Sequence, residues 1–342
     1  MDDSIKTYKC PNCGAALTFD SKTQKLHCSH CDTSIDVEAM KALSDTPSGT
    51  DQDNARWNTS DAGSNWSSSE QQGMRSYHCP TCGAELVTDE TTAASTCAYC
   101  GSPVVLSDHL SGAKRPNYVI PFKVDKKTAK ETLKNFYKGK IFLPRAFSAE
   151  NHLEEISGIY VPFWLYSCES NGSFSFDATR THHYTDGDYD VTETEHYLVL
   201  RDGEARFNNI PVDGSSKMDD AYMDAIEPFD YSAITDFHTD YLPGYAAQTY
   251  DEDANACAPR ATARVKNTTI AAIRRTCDYT TLTPRTSKIS TTQNSVDYAL
   301  LPVWMLTTNW HGKSYHFAIN GQTGKLIGDL PIDKGRFFSL LA

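Results

Sequence analysis

The feature that most constrains this chain is a cysteine pattern that occurs twice. Each copy consists of two Cys-x-x-Cys pairs separated by fourteen residues. The later copy is Cys79, Cys82, Cys97 and Cys100. Subtracting 69 from each position gives the earlier copy, which is Cys10, Cys13, Cys28 and Cys31. The flanks repeat too, since Tyr77 and Leu86 match Tyr8 and Leu17, so the chain carries a duplicated cysteine module at 8–37 and 77–106.

This spacing predicts a metal site in each module. Two tight turns, each with two thiolates, supply the four-sulfur tetrahedral shell that Zn²⁺ favours in structural sites. Gly14, Gly83 and Gly101 follow three of the pairs, where a residue free to take positive φ lets N–H groups point at sulfur. We expect two structural Zn²⁺ ions per chain, with iron or a redox dithiol as the competing interpretations.

Charge argues against a general role in nucleic-acid binding. The chain has 342 residues and a formal net charge of −12, whereas attraction to phosphate backbones depends on Lys and Arg. Residues 77–106 contain neither Lys nor Arg. We therefore expect the modules to contact protein or to be purely structural.

Cysteine usage indicates a reducing compartment. The N-terminus lacks the apolar run of a signal peptide, and eight of the eleven cysteines fall into metal-ligand spacing. No window of eighteen apolar residues is present. We expect a cytoplasmic protein.

The remaining sequence predicts a flexible linker and one larger domain. Residues 44–76 are dominated by Ser, Thr, Asp, Asn, Gln and Gly, and we interpret them as a flexible linker. Trp57 and Trp66 are interpreted as incidental, with docking onto a neighbouring part of the protein as the alternative. Residues 118–333 predict an α+β domain with antiparallel sheets. Its predicted helices run from Asp125 to about Lys138, across 219–226, and across 261–277.

A weaker repeat lies within this domain. The segment beginning Pro162-Phe-Trp164 recurs 140 residues later as Pro302-Val-Trp304. We interpret 118–333 as two related lobes produced by internal duplication, with chance similarity of two hairpins as the alternative.

No motif in the chain indicates catalysis. Gly312-Lys-Ser314 lacks the first Gly of a P-loop and falls in a predicted hairpin, and the acidic run at 251–253 predicts a solvated helix start. Cys168, Cys257 and Cys277 are expected to be buried thiols. Six histidines could converge into a second site, although scattered histidines are the simpler interpretation. They are His182, His183, His196, His238, His311 and His316.

With the two Cys-Pro-x-Cys-Gly modules, the strand Ile120-Pro-Phe122, the segment 160–164 and the closing segment 316–324, the chain resembles a bacterial family. Its members are described as TFIIB-type zinc ribbon-containing proteins, or as primosomal protein N′ (replication factor Y) helicase-like. The resemblance implies that the eight cysteines are ribbon ligands and that no catalytic residue carries over. It also implies a link to the membrane through a C-terminal segment, and the sequence to Ala342 does not contain such a segment.

We therefore expect a non-enzymatic zinc-binding adaptor or scaffold that assembles other proteins at the cytoplasmic face of the bacterial membrane. It would be cytoplasmic, and either peripheral to the inner membrane or anchored in it through a C-terminal segment absent from this chain. A nucleic-acid-binding accessory factor of replication or transcription is the first alternative, and a cryptic enzyme in the α+β domain is the second. Any small-molecule substrate and the oligomeric state stay open.

Overall fold

The structure is a computed structural model that describes residues 8, 10, 16–29, 34–37, 40, 55–107, 112–150, 153–333 and 335. Contacts divide the chain into two units. One comprises residues 1–53, 172–203 and 272–289, and the other comprises residues 54–171, 204–271 and 290–342. The predicted fold class is confirmed at the coarse level, because the protein is α+β with mostly antiparallel sheets and few helices.

The earlier cysteine module contains a small three-stranded sheet. Strands β1 (Thr18–Asp20), β2 (Lys25–His27) and β3 (Ser34–Asp36) pair antiparallel in the order β1-β2-β3. Leu26, Ile35 and Met40 form the buried cluster behind them. Three strands of three residues bury little apolar surface, and sheets of this size usually need a metal or disulfides for stability.

The second sheet has eleven strands. Eight of them follow the order β10-β7-β12-β8-β11-β5-β4-β6, while β9 pairs with β8, and β13 pairs with β12 and β14. The strands are β4 (Met74–His78), β5 (Glu85–Asp89), β6 (Val105–Ser107), β7 (Tyr118–Val119), β8 (Ser157–Asp186), β9 (Tyr189–Asp213), β10 (Thr235–Asp236), β11 (Ala246–Gln248), β12 (Thr281–Trp310), β13 (Lys313–Asn320) and β14 (Leu326–Gly328).

Three strands of this sheet are unusually long. β8 and β12 have 30 residues each and β9 has 25. In the unit that contains residues 172–203, Phe174 and Phe176 are buried, whereas Tyr184 and Tyr189 near the β8–β9 turn are exposed. Residues 159–166 of β8 are all buried, so both faces of the strand are covered there, whereas buried and exposed side chains alternate over 170–174, as in a strand with one covered face.

Five α-helices accompany the sheets in the described part of the chain. They are α1 (Ser68–Gln72), α2 (Lys126–Tyr137), α3 (Arg145–Glu150), α4 (Asp220–Ala225) and α5 (Ala254–Arg274). Asp125 caps α2 through the Thr128 N–H, as predicted, and Ala129 and Leu133 are its buried residues. α5 begins seven residues before the predicted start, because Asp253 accepts the N–H groups of Asn255 and Ala256. Within the ranges given above, no helix is long and apolar enough to cross a membrane.

Two short strands each pair parallel with one of the long strands. β11 pairs parallel with β8 at Ala246 and Ile159, and β7 pairs parallel with β12 at Tyr118 and Ala299. Ile159 and Ala299 are 140 residues apart, the same offset as in the sequence repeat. Each short strand precedes a helix, so two β-α-β-β segments contribute to one sheet.

Residues 55–76 differ from the flexible linker expected for 44–76. The Trp57 ring packs on Tyr166 with centroids 4.9 Å apart, and its indole N–H donates to Thr262. Trp66 packs edge-on against Phe237, and Ser67 caps α1 in a capping box. The polar composition concealed this packing because two aromatic anchors and one cap order the segment. Residues 44–54 lie outside the described residues.

Candidate metal centre

The later cysteine set forms a four-sulfur cluster. The Sγ atoms of Cys79, Cys82, Cys97 and Cys100 all lie within 4.8 Å of one another. The two Cys-x-x-Cys turns have the same backbone. Gly83 N–H donates to Cys79 O and Gly101 N–H donates to Cys97 O, both at 2.9 Å. Gly83 and Gly101 have a φ of 72°, which confirms the reason for glycine after each pair.

Sulfur spacing in this cluster fits a tetrahedral zinc ion. The Cys79 and Cys100 Sγ atoms are 3.5 Å apart, and those of Cys82 and Cys97 are 3.6 Å apart. A zinc ion with Zn–S bonds of about 2.3 Å holds its sulfurs about 3.8 Å apart. Four thiol donors fill all four positions of such an ion, so the geometry suits a structural metal and leaves no position for water or substrate.

The surroundings of the cysteines favour different protonation states in the absence of an ion. Burial acts to raise the pKa of Cys79, but the N–H groups of Cys82 and Thr81 and neighbouring thiols lower this pKa to about 7. Burial raises the pKa of Cys97 and of Cys82. A bound cation holds all four groups as thiolates, so metal binding releases protons from the cluster.

The later module is built into the large sheet through β5. β5 pairs antiparallel with β11 at Leu86 and Gln248, and β11 in turn pairs with β8. Cys79 and Cys97 belong to the same buried cluster as Ile120, Ile159 and other residues of the α+β domain. The four-cysteine cluster therefore shares the hydrophobic core of the α+β domain.

Tyr99, which lies between two ligands, connects the metal turn to buried polar groups. Its hydroxyl donates to Gln248 Oε1, and the Gln248 amide donates to Ser215 Oγ at 2.6 Å. Thr307 of β12 donates to the Tyr99 carbonyl at 2.8 Å. Burial raises the pKa of Tyr99, so its hydroxyl stays protonated and acts as a donor.

A lysine adds positive charge beside the cysteine turn. Lys217 Nζ lies close to Gly83, 3.8 Å from the position that a Cβ atom on this glycine would occupy. The same ammonium group pairs with Asp251 at 2.8 Å. The hydrogen bond to Asp251 raises the pKa of Lys217 against the effect of burial, and the nearby Cys82 and Cys97 add to this rise. A cation in this position offsets part of the negative charge of a four-thiolate site.

A buried carboxylate lies in the same unit. Asp213 is fully buried, and its Oδ1 accepts from Arg260 at 2.8 Å. Its Oδ2 has no hydrogen-bond partner among the described residues. Burial raises the pKa of Asp213 to about 6 although Arg260 acts in the opposite direction.

The earlier cysteine set is only partly described. Cys10 and Cys28 are buried, whereas Cys13 and Cys31 lie outside the described residues, as does Gly14. The prediction of a second metal site at these four positions stays a prediction.

The other candidate residues do not assemble into a further metal cluster in the ranges that the structure covers, where the later cysteines are the one group found. His183 bonds Thr192 in the β8–β9 hairpin, and His316 lies beside Thr307. Cys168 and Cys257 are buried as expected, whereas Cys277 is half-buried. The acidic run at 251–253 does precede a helix, but Asp251 pairs with Lys217 rather than facing solvent alone.

Gly312-Lys-Ser314 lies in the β12–β13 hairpin, where Trp310 pairs with Lys313. This placement confirms that the motif is not a phosphate-binding loop between a strand and a helix.

A cavity of about 200 Å³ opens beside the later module. Thr88, Thr92, Ser95 and Thr96 contribute to its lining, as do Tyr245 and Trp304. His, Asp, Glu and Cys are absent from its described lining. The lining also includes Lys126, so the cavity offers hydrogen bonds, aromatic contact and one cationic side chain, and Lys, Ser, Thr and Tyr are residue types that serve in acid–base or nucleophilic chemistry.

Sequence reasoning missed the residues that connect the metal turn to the domain. Gln248, Thr307 and Lys217 lie 117 or more positions after Cys100, in segments without motif character. The one available signal was Tyr99, a large side chain with a polar tip between two ligands.

Comparison with known proteins finds one informative relative. The chain is 36% identical over 333 residues to the uncharacterized protein YdjG of Bacillus subtilis (strain 168), a match that covers 97% of this chain and 92% of that protein. No family model matches the chain, and no solved structure matches it.

Proposed function

We propose that this chain, which belongs to the family of the Bacillus subtilis protein YdjG, is a non-enzymatic zinc-binding adaptor that assembles other proteins at the cytoplasmic face of the membrane. The observation that carries the proposal is the closed four-cysteine cluster that shares the core of the α+β domain. In such a site the ion supplies folding energy and rigidity rather than chemistry.

Both cysteine sets are proposed as TFIIB-type zinc ribbons, with two zinc ions per chain. The spacing within the two sets is identical. Cys10 and Cys28 are buried, as are their counterparts Cys79 and Cys97. Burial of equivalent thiols at an identical spacing supports the same four-sulfur chemistry in the earlier module.

The α+β domain is proposed to derive from an internal duplication. Trp164 donates its indole N–H to Glu252 O at 2.9 Å, and Trp304, 140 residues later, donates to Val124 O at 2.8 Å. Each acceptor directly precedes an aspartate that caps a helix, Asp253 or Asp125.

A pair of glycines extends the same correspondence. Gly214 N–H donates to Pro162 O at 2.9 Å, and Gly321 N–H donates to Pro302 O at 2.8 Å. Because each tryptophan bonds to the helix start of the other copy, the two copies are interleaved rather than separate lobes. A single interleaved body provides a rigid platform for binding.

The edge of the large sheet supports a role in protein contact. β6 ends the described strand order, and Val105 and Leu106 are each 58% exposed. An edge strand with exposed apolar side chains is a common place for another chain to add a strand. This edge belongs to the module that holds the metal cluster.

Metal analysis and affinity capture test the proposal together. Metal analysis of the purified chain should give two zinc per chain. Full-length protein expressed in its native host should capture defined partner proteins after cross-linking, and replacement of Val105 and Leu106 by lysine should reduce that capture. A matched variant with lysine at the exposed Tyr189 should capture normally. Capture that is no different from a tag-only control would remove the adaptor role.

A further inference from the structure

Positive charge is concentrated in one segment of this acidic chain. Residues 126–140 contain six lysines and one acidic residue, Glu131, although the whole chain has a formal net charge of −12. The segment comprises α2 and the turn that follows it.

The lysines of α2 share one side of the helix. Lys126, Lys130 and Lys134 follow one another at intervals of four residues, which places them in a row on the helix surface. Ala129 and Leu133 occupy the buried side. Lys126, Lys127 and Lys134 are exposed, so the helix packs by its apolar side and presents ammonium groups outward.

Two exposed isoleucines adjoin the end of this helix. The turn after α2 carries Lys138 and Lys140, and Ile141 is 60% exposed. Ile332 is 64% exposed, and the Asp333 N–H after it donates to Phe142 O at 2.8 Å, directly after Ile141. Apolar side chains therefore adjoin the basic turn.

We propose that this surface docks on the anionic face of a lipid bilayer. The basic face is defined by Lys126, Lys127, Lys134, Lys138, Ile141 and Ile332. Each lysine near an anionic leaflet strengthens binding about five-fold, and apolar side chains at the same surface enter the headgroup region. The isoleucines favour a bilayer over nucleic acid, whose phosphates offer nothing to an exposed aliphatic side chain.

Net negative charge elsewhere makes the docking directional. An anionic membrane repels a chain with a net charge of −12 except where a local basic face approaches within about 10 Å, the distance over which charge acts at moderate salt. Docking through α2 thus fixes which side of the protein meets the lipid. The inference deepens the membrane location in the proposed function, but it requires neither zinc nor a partner protein.

Vesicle sedimentation tests the basic face directly. Purified full-length protein is mixed with phosphatidylcholine vesicles that either contain or lack phosphatidylglycerol. We expect binding to the anionic vesicles at low salt, loss of that binding at high salt, and no binding to the neutral vesicles. Simultaneous replacement of Lys126, Lys127 and Lys134 by glutamine, which keeps helix propensity, should weaken binding about a hundred-fold.

A matched variant separates location from net charge. Glutamine at Lys22, Lys288 and Lys313, three exposed lysines outside the basic face, removes the same charge and should bind vesicles nearly as wild type does. Replacing Ile141 and Ile332 by serine should weaken binding without changing its salt dependence.

Equal loss in the two lysine variants would overturn the proposal, as would binding to duplex DNA as tight as binding to anionic vesicles. Vesicle binding with no captured partner would refute the adaptor role alone, and the reverse result would refute the basic face alone.

Discussion

The two cysteine modules share a spacing but differ in what surrounds them. The strands β1 to β3 of the earlier module form a sheet of their own, with Leu26, Ile35 and Met40 as its buried cluster. The strands β4 to β6 of the later module belong to the eleven-stranded sheet. The same cysteine spacing therefore accompanies a three-stranded sheet in one case and an eleven-stranded sheet in the other.

Equivalent side chains show the consequence of this difference. Leu17 is half-buried, whereas Leu86, 69 residues later, is 1% exposed. Phe19 is 54% exposed, whereas its counterpart Thr88 is fully buried and donates to Thr92 O. The strand β5 pairs with β11 at Leu86 and Val87, and Leu86 belongs to the buried cluster that includes Ile120 and Ile159 of the α+β domain. A repeated cysteine pattern thus leaves the surroundings of the cysteines unspecified.

Loss of the later metal site should have the largest effect. Cys97→Ser leaves three ligands and a polar group in the core, so we expect the free energy of unfolding to fall by about 4 kcal/mol or more. Tryptophan fluorescence during urea unfolding measures this, because all five tryptophans belong to the same unit as the later module. They are Trp57, Trp66, Trp164, Trp304 and Trp310.

Cys28→Ser is the matched control in the earlier module. It should remove one zinc per chain and leave the tryptophan transition unchanged within about 0.5 kcal/mol. Equal destabilisation by Cys97→Ser and Cys28→Ser would show that the two cysteine sets contribute equally to the stability of the unit that contains the tryptophans.

The pH dependence of this same transition should show the titration of Asp213. Burial raises its pKa from 3.8 to about 6. The folded state therefore holds this proton more tightly than the unfolded state. The resulting stability is fully present below pH 3.8 and is lost as the pH rises through about 6. As the pH rises from 3.8 through about 6, the free energy of unfolding of the wild type should fall by up to about 3 kcal/mol relative to that of Asp213→Asn. Urea unfolding at several pH values measures the difference, and parallel profiles would contradict it.

Tyr99→Phe should have a smaller effect on the connection between the metal turn and the domain. It leaves Gln248 Oε1 without its donor, which we expect to cost about 1–3 kcal/mol in tryptophan-monitored unfolding. Tyr231→Phe is the control, because the buried Tyr231 hydroxyl has no partner among the described residues and its loss should be neutral or stabilising. Equal costs for both variants would place the effect in packing rather than in the hydrogen bond.

The smallest effect is expected at the surface of the earlier module. Lys25 pairs with Asp36 at 3.5 Å, and both side chains are largely exposed. Lys25→Gln should change stability by less than about 0.5 kcal/mol. We would compare the zinc affinity of the earlier site with and without Lys25→Gln, by competition with a chelator. Both proteins would carry Cys79→Ser, so that only the earlier cysteine set is intact. A change in zinc affinity of more than about two-fold would show that the Lys25–Asp36 ion pair contributes appreciably to the stability of the earlier module.

Sequence alone predicted the features whose signals are local. The cysteine spacing predicted the cluster at Cys79 to Cys100, and Asp125 predicted a helix start. Both depend on contacts between residues close in the chain. The order in residues 55–76 could not be predicted from composition, because Trp57 packs on Tyr166, 109 positions away.

The strand pairings of the α+β domain were hidden for the same reason. The 140-residue offset indicated related segments, but pairing of β11 with β8 and of β7 with β12 depends on register between distant strands. Short parallel strands of two or three residues carry almost no pattern of their own. The site residues Gln248 and Thr307 were missed because these pairings position them.

Hydrogen–deuterium exchange of the Cys28→Ser variant, before and after zinc is withdrawn by a chelator, tests the central claim most directly. If the later site supports the large sheet, zinc withdrawal should increase exchange in β11 and in the first part of β8 as well as in residues 77–106. Faster exchange confined to residues 77–106 would contradict the account, because the later site would then support only its own module.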